Sequence, residues 1–182
     1  MRKMMFNDQY GLTQAVLEGR KTMTRRIVQD RLLKDCVVTG EVLIKSHYKV
    51  GEVVAVAQSY HDSGFPSIED NFVYHRWCDE PGWTNKMFVK PRLMPHQIRI
   101  TDIEVERLQD ISDEDCLKEG IFEDYDEHGG MYTSPFYDYK GNDGDGFYTP
   151  REAFAVLIDK VSGKGNWVRN PWVFVYSFEL IK

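Results

Sequence analysis

The chain of 182 residues is poor in cysteine, with Cys36, Cys78 and Cys116 widely separated and no CxxC pair. An odd, dispersed set of this kind makes neither a disulfide framework nor a zinc site, so reduced and mostly buried thiols are expected. Long apolar runs are also missing. The longest, Trp172 to Phe178, falls far below the ~20 residues that a bilayer-spanning helix needs. No charged start leads into an apolar stretch and a small-residue cleavage site, so a cytoplasmic protein is expected, with no membrane partner. There is no internal repeat and no low-complexity segment. The five histidines, His47, His61, His75, His96 and His128, show no metal-ligand spacing. The run Gly141 to Gly146 with Glu152 beyond it mimics a calcium loop, but Gly141 stands where the leading aspartate belongs and no helix precedes it. Neither a metal nor a cofactor is expected.

What is present is ordinary globular material, 42% hydrophobic and 29% charged, which excludes wholesale disorder. The net charge of −6 conceals an asymmetry: residues 1–50 carry 10 basic and 5 acidic side chains, whereas residues 102–159 carry 4 and 17. An acidic chain repels nucleic acid in bulk, while one basic patch can still hold a phosphate or two. A large duplex-DNA surface is therefore not expected. A nucleotide-sized or short single-stranded partner is permitted.

Local patterns suggest strands with a few helices between them. Residues 9–18 read as a helix, with Asp8 as its cap and Gly19 as its stop. Thr22 to Val28 reads as a strand that places Arg25 and Arg26 on opposite faces. The short apolar run at 52–57 suits a buried strand. Residues 60–95 dissolve into Gly, Pro, Ser, Asp and Trp and read as an irregular excursion. A strand resumes at 97–107, where the slip from Ile98 and Ile100 to Ile103 and Val105 predicts a bulge near Asp102. Ser112 caps a short acidic helix over 113–118 that Gly120 stops. Phe122 to Phe147 is rich in Tyr, Gly and Asp and reads as a lid or loop. Thr149-Pro150-Arg151-Glu152 starts a helix over 150–161, and the final strand covers 172–180. Without regular βαβ alternation, this pattern predicts an α+β fold. Trp77, Trp83, Tyr74 and Phe72 in the first excursion suit anchoring to the core more than stacking on bases.

The most unusual stretch is Gly19-Arg20-Lys21-Thr22-Met23-Thr24-Arg25-Arg26, where two hydroxyls and four cations meet. A threonine hydroxyl is a weak nucleophile until a base takes its proton. Lysine becomes that base when desolvation or neighbouring cations lower its pKa. Residue types alone leave this reading open beside a plain solvated basic turn.

The segment LTQAVLEGRKTMTRRIV resembles the helix-to-strand signature of the ASCH family, a branch of the PUA-like superfamily. SHYKVGEVVAV resembles its following turn and strand. IRITDIEVERLQDISDEDCLKEGI resembles its strand and Glu-Gly helix, and NWVRNPWVFVYSFELI the closing strand of its longer, phage-associated branch. These blocks cover 68 of the 182 residues, in family order. The resemblance implies one PUA-like mixed β-barrel domain over 1–182, with flanking helices and insertions at about 61–96 and 122–148. Some small bacterial ASCH proteins are amidohydrolases that deacetylate N4-acetylcytidine with a threonine nucleophile, a lysine base and a glutamate. Those roles fall on Thr24, Lys21 and Glu119. Arg20, Arg25, Arg26 and His47 are the accompanying ligand-binding candidates, and a modified nucleoside or short single-stranded RNA is the expected partner. The alternative is a non-catalytic RNA- or nucleotide-binding module in which Lys21, Arg25 and Arg26 contact phosphate.

Overall fold

The computed structural model describes residues 1–28, 46–64, 78–124, 136–144 and 146–181. The elements run β1 (Arg2–Met4), α1 (Leu12–Leu17), β2 (Met23–Ile27), β3 (Val53–Val56), β4 (Gln97–Arg107) and α2 (Asp113–Lys118). They continue through β5 (Phe122–Asp124), β6 (Phe136–Asp138), α3 (Pro150–Ser162), α4 (Asn166–Arg169) and β7 (Trp172–Leu180). Five strands form one sheet in the order β1-β3-β4-β7-β2, with β5 and β6 making a separate ribbon. The mixed α+β class expected from the sequence is what forms.

The aromatic and β-branched run of β7 makes it the spine of the sheet, because such side chains pack well on a pleated surface. Val173, Phe174, Val175, Tyr176 and Phe178 are all buried, so both faces of the strand are covered and its sequence does not alternate. It pairs antiparallel with β4 on one side and β2 on the other. The predicted bulge is there: the β4–β7 register slips between Ile100 and Asp102. Before the slip, Ile98 and Ile100 point into the core. After it, Glu104 and Glu106 stand opposite Val175 and Val173.

Helix α2 starts where expected, with Ser112 Oγ accepting from the Asp115 amide, and Thr149 caps α3 in the same way through the Glu152 amide. Through Phe154, Leu157 and Ile158, α3 buries one stripe in the main core. The cap expected at Asp8 is corrected. The chain turns once more before α1, and Gly11, at φ 63°, is the residue that precedes the helix. Asp8 instead accepts from Thr13 and Lys86.

Two elements were not anticipated, and one expected anchor is in place. The short strand β1 pairs parallel with β3. Helix α4, four residues long, follows α3 after Gly163–Gly165. The described part of the expected excursion after residue 60 packs a second small core, in which Tyr60, Val89 and Met94 lie on Ala55 and Ala57 with Trp83 against them. Lys3 Nζ ties that layer to β1 by donating to the carbonyls of Lys86, Met87 and Val89 at 2.9, 2.6 and 2.9 Å. Phe72, Tyr74 and Trp77 lie outside the described residues.

The expected loop at 122–147 is corrected where it is described. Its ends pair as β5 and β6, and Tyr137 bridges to Phe147. Tyr139 is 1% exposed, edge-on to Tyr10 at 5.9 Å and stacked on Phe147 at 6.1 Å. Aromatic pairing of this kind turns a turn-rich segment into core. Tyr139→Ala should therefore lower unfolding stability by about 3 kcal/mol or more, read from the urea midpoint. A loss below about 1 kcal/mol would show the ribbon to be peripheral.

Candidate functional site

The Gly-Arg-Lys-Thr turn is fastened by backbone on three sides. The Arg20 and Lys21 amides both donate to the Ala15 carbonyl at 2.9 Å, the Thr22 amide donates to Lys118 at 3.0 Å, and the Phe178 amide donates to Thr22 at 2.8 Å. Helix α1, the end of α2 and strand β7 thus converge on four residues. The Lys21 stem then passes beside Gly120, whose φ is +106°. A Cβ at Gly120 would lie 3.2 Å from Leu12 and 3.7 Å from the Lys21 stem, so this helix end needs glycine for its backbone and for the close approach.

Lys21 is 2% exposed and Glu119 5%. Lys21 Nζ donates to Glu119 Oε2 at 2.5 Å and to the Glu119 carbonyl at 2.7 Å. Both of these bonds of the ammonium go to Glu119 and not to Thr24. The other carboxylate oxygen of Glu119 accepts from Arg25 at 3.3 Å. Arg25 in turn donates to Glu106 at 2.7 Å and to Asp115 at 3.1 Å. Among the described residues no buried side-chain nitrogen or oxygen lacks a partner. A solvated basic turn is excluded by this burial.

Burial sets the protonation landscape. Desolvation holds the Lys21 amine below the usual lysine range, with Glu119 pulling the other way and Arg26 and Arg25 adding to the depression. Burial also pulls on Arg25, but Glu119, Glu106 and Asp115 outweigh it and hold the guanidinium more firmly charged. Burial would raise Asp115, but hydrogen bonds from Lys118 and Arg25 win and keep its carboxyl low. Cys116, buried on the inner side of α2, is pushed up to about 12 by desolvation and is an inert thiol.

Lys21, Thr24, Arg25, Arg26 and Glu119 all line one cavity of about 210 Å³. Leu12 and, from α3, Phe154, Leu157, Ile158 and Val161 give the same cavity apolar lining. Arg26 donates to the Met5 carbonyl and lies 5.7 Å from the centre of the Phe6 ring. The remaining candidates stand outside the cavity. Arg20 is exposed and bonded to Glu18 at 2.8 Å. His47 is exposed and edge-on to Tyr48 at 4.7 Å. Sequence reasoning missed Glu106 and Asp115 as partners of Arg25. The signal was the acidic half of the chain, whose contact with the basic half only folding reveals. Among the described residues no group of three or more His, Cys, Asp or Glu side chains is placed to hold a metal ion. No described helix is long and apolar enough to cross a membrane.

Neither a protein-family model nor a curated protein matches the chain. Among solved structures it is similar to an ASCH domain from Lactobacillus crispatus JV V101, with 10% identity and a TM-score of 0.40 over 96% of this chain and 75% of that one. The chain is also similar to a DUF984 protein from Enterococcus faecalis V583, with 13% identity and a TM-score of 0.44 over 100% and 81%. At these values neither neighbour assigns a residue or a reaction to this chain, whose chemistry is read from Lys21, Thr24, Arg25 and Glu119 themselves.

Two outcomes follow from the buried pair. Glu119→Gln leaves a desolvated ammonium without its carboxylate and should cost about 3–5 kcal/mol, whereas Lys21→Met with Glu119→Leu should recover most of that loss; urea midpoints check both. The Asp115 carboxyl is lower in the folded state than the ordinary 3.8. Its stabilisation is therefore fully present above pH 3.8 and is lost as pH falls through the lower folded value. Asp115→Asn should flatten the acid limb of melting temperature against pH below that point and leave its slope unchanged near neutrality.

Proposed function

We propose that the cavity binds the base of a modified nucleoside, free or at an exposed position in a short RNA, and that Thr24 hydrolyses the N4-acyl amide of an acylated cytidine. The observation that carries this reading is a desolvated lysine gripped by a glutamate in a cavity that Thr24 also lines. A lysine kept from easy protonation is what a hydroxyl nucleophile needs as its base. The size agrees: about 210 Å³ is below the ~300 Å³ at which drug-sized sites begin, and suits one ring with a small substituent.

Charge bookkeeping favours an uncharged ligand group over phosphate. Lys21 and Arg25 are already neutralised by Glu119, Glu106 and Asp115, so neither has unspent charge to offer an anion. Arg26 has no carboxylate partner among the described residues. It is the cation available to the oxyanion that forms on the amide carbonyl.

In the proposed reaction, Lys21 as the free amine takes the Thr24 hydroxyl proton while Thr24 Oγ bonds to the amide carbon. The tetrahedral oxyanion collapses, the C–N4 bond breaks, and the Lys21 ammonium returns its proton to N4. Water then attacks the threonyl ester and gives its proton to Lys21; the ester C–Oγ bond breaks, the Lys21 ammonium returns the proton to Thr24 Oγ, and the carboxylic acid leaves. Glu119 holds the Lys21 amine in place throughout.

Incubation of the protein with a panel of N4-acylated cytidines should release free cytidine. Thr24→Val, which keeps the shape and removes the hydroxyl, should lower kcat by about 10³-fold or more with little change in melting temperature. Near-normal hydrolysis by Thr24→Val would reject Thr24 as nucleophile. If the wild type cleaved none of the panel, yet bound short RNA with a salt dependence lost in Lys21→Ala, plain binding would replace hydrolysis.

A further inference from the structure

The network does not stop at Glu119. Arg25, 4% exposed as a residue, commits each nitrogen of its guanidinium to a different carboxylate. Nε goes to Glu106 on β4 at 2.7 Å, one terminal nitrogen to Asp115 on α2 at 3.1 Å, and the other to Glu119 at the end of α2 at 3.3 Å. That last nitrogen also meets Met23 Sδ at 3.2 Å. Glu119 thus sits between two cations, with one oxygen on Lys21 and the other on Arg25. Glu106 and Asp115 reach the surface, with side-chain exposures of 22% and 23%, while the Arg25 and Lys21 side chains are each 1% exposed.

Such fixation exceeds what a salt bridge between β2 and α2 requires. A single carboxylate would satisfy Arg25, and a buried charge costs more with each further ion taken from water. A planar fork held at three points, however, has a defined orientation, so the group it holds has one too. We propose that Arg25, braced by Glu106 and Asp115, is a positioning residue that fixes the Glu119 carboxylate against Lys21 and so sets how readily the Lys21 amine gives and takes a proton. The role deepens the hydrolase reading and rests on it for its chemical purpose, but the brace itself is measured without turnover.

The groups that face Lys21 are Arg25 and Arg26 from β2 and Glu119 from the end of α2. Facing Arg25 are Glu106 from β4 and Asp115 from α2, and Lys118 holds Asp115 at 2.9 Å. The signs of the expected changes follow from these neighbours. Glu106→Gln keeps an oxygen to accept from Arg25 but removes a negative charge. The uncovered guanidinium then makes a proton on Lys21 less favourable, and Asp115→Asn acts in the same direction. Arg25→Gln removes the positive charge and commits Glu119 to Lys21 alone, which makes the proton more favourable.

The test is a side-chain ¹⁵N and ¹³C NMR titration of Lys21 in the full chain, with the signal assigned by its disappearance in Lys21→Met. The Lys21 midpoint should move down in Glu106→Gln and Asp115→Asn and up in Arg25→Gln, by the order of one pH unit. On any N4-acylcytidine that the wild type cleaves, Glu106→Gln should lower kcat and displace its pH profile with KM retained. Should Arg25→Gln fail to fold, the two carboxamide variants decide the matter. A Lys21 midpoint unmoved in both folded carboxamide variants overturns the proposal. So does a moved midpoint with unchanged kcat and pH profile. If the wild type cleaves no substrate, the hydrolase reading falls, and the titration alone upholds or overturns the brace.

Discussion

One carboxylate between two cations, almost out of water, is the constraint on which the rest of the site depends. Removing three charges from solvent is expensive, and only close geometry with every donor and acceptor occupied offsets the cost. Glu119 meets that condition because the end of α2 is pinned from several directions. The Glu119 amide bonds back to Asp115 and Cys116, the Lys118 carbonyl takes the Thr22 amide, and Gly120 leaves room for the lysine stem. Strand β2 must then lie where Arg25 and Lys21 reach the same carboxylate, and its five-residue ladder with β7 holds it there. The tight turn after α1 is a consequence of the same requirement.

The charge asymmetry of the chain gains a different meaning in the fold. A basic first quarter and an acidic later half suggest, on sequence, a patch that attracts anions beside a surface that repels them. In the structure, acidic residues from the later half neutralise cations of the first: Glu106, Asp115 and Glu119 close on Arg25, and Glu119 on Lys21. Much of the polarity of the sequence is thus spent within the molecule. The cavity that remains mixes polar and apolar lining and is nearly balanced in charge, and such a space selects for shape and hydrogen-bonding pattern more than for charge.

Legibility followed how local each signal was. Ser112 and Thr149 announced their helices because a cap and its amide lie three residues apart. The β4 bulge was legible because the apolar phase slips within a few residues. Strand β1 was not, since three residues carry no period and its partner Val53–Val56 is distant in sequence. Tyr139 looked like loop because its neighbours are turn formers, yet Tyr10 and Phe147 make it core. In the site, Lys21, Thr24 and Glu119 came forward through resemblance to a motif. Nothing local could show that Lys21 and Glu119, 98 residues apart, touch. Arg20 shares the motif but sits where α1 ends in solvent. His47 neighbours a buried tyrosine while its own side chain faces out.

The bulge in β4 has a further bearing on how this chain can vary in length. Up to Ile100, even-numbered residues of β4 pair with even-numbered residues of β7; beyond Asp102, even pairs with odd. Side chains alternate between faces along a strand, so that one extra residue decides which face every later side chain joins. With it, Glu106 stands opposite Val173 on the face that Arg25 shares through Val175. Were the same residues to pair without the slip, Glu106 would fall opposite Trp172 and turn to the face of Phe174 and Arg26, whereas deleting Thr101 would restore an ideal ladder with Glu106 still opposite Val173. The arginine brace is therefore kept either by the irregularity or by a β4 one residue shorter, and a strand straightened at unchanged length must find the counter-charge elsewhere. Strand length parity, ordinarily invisible in a residue-by-residue alignment, becomes an inherited trait of the site.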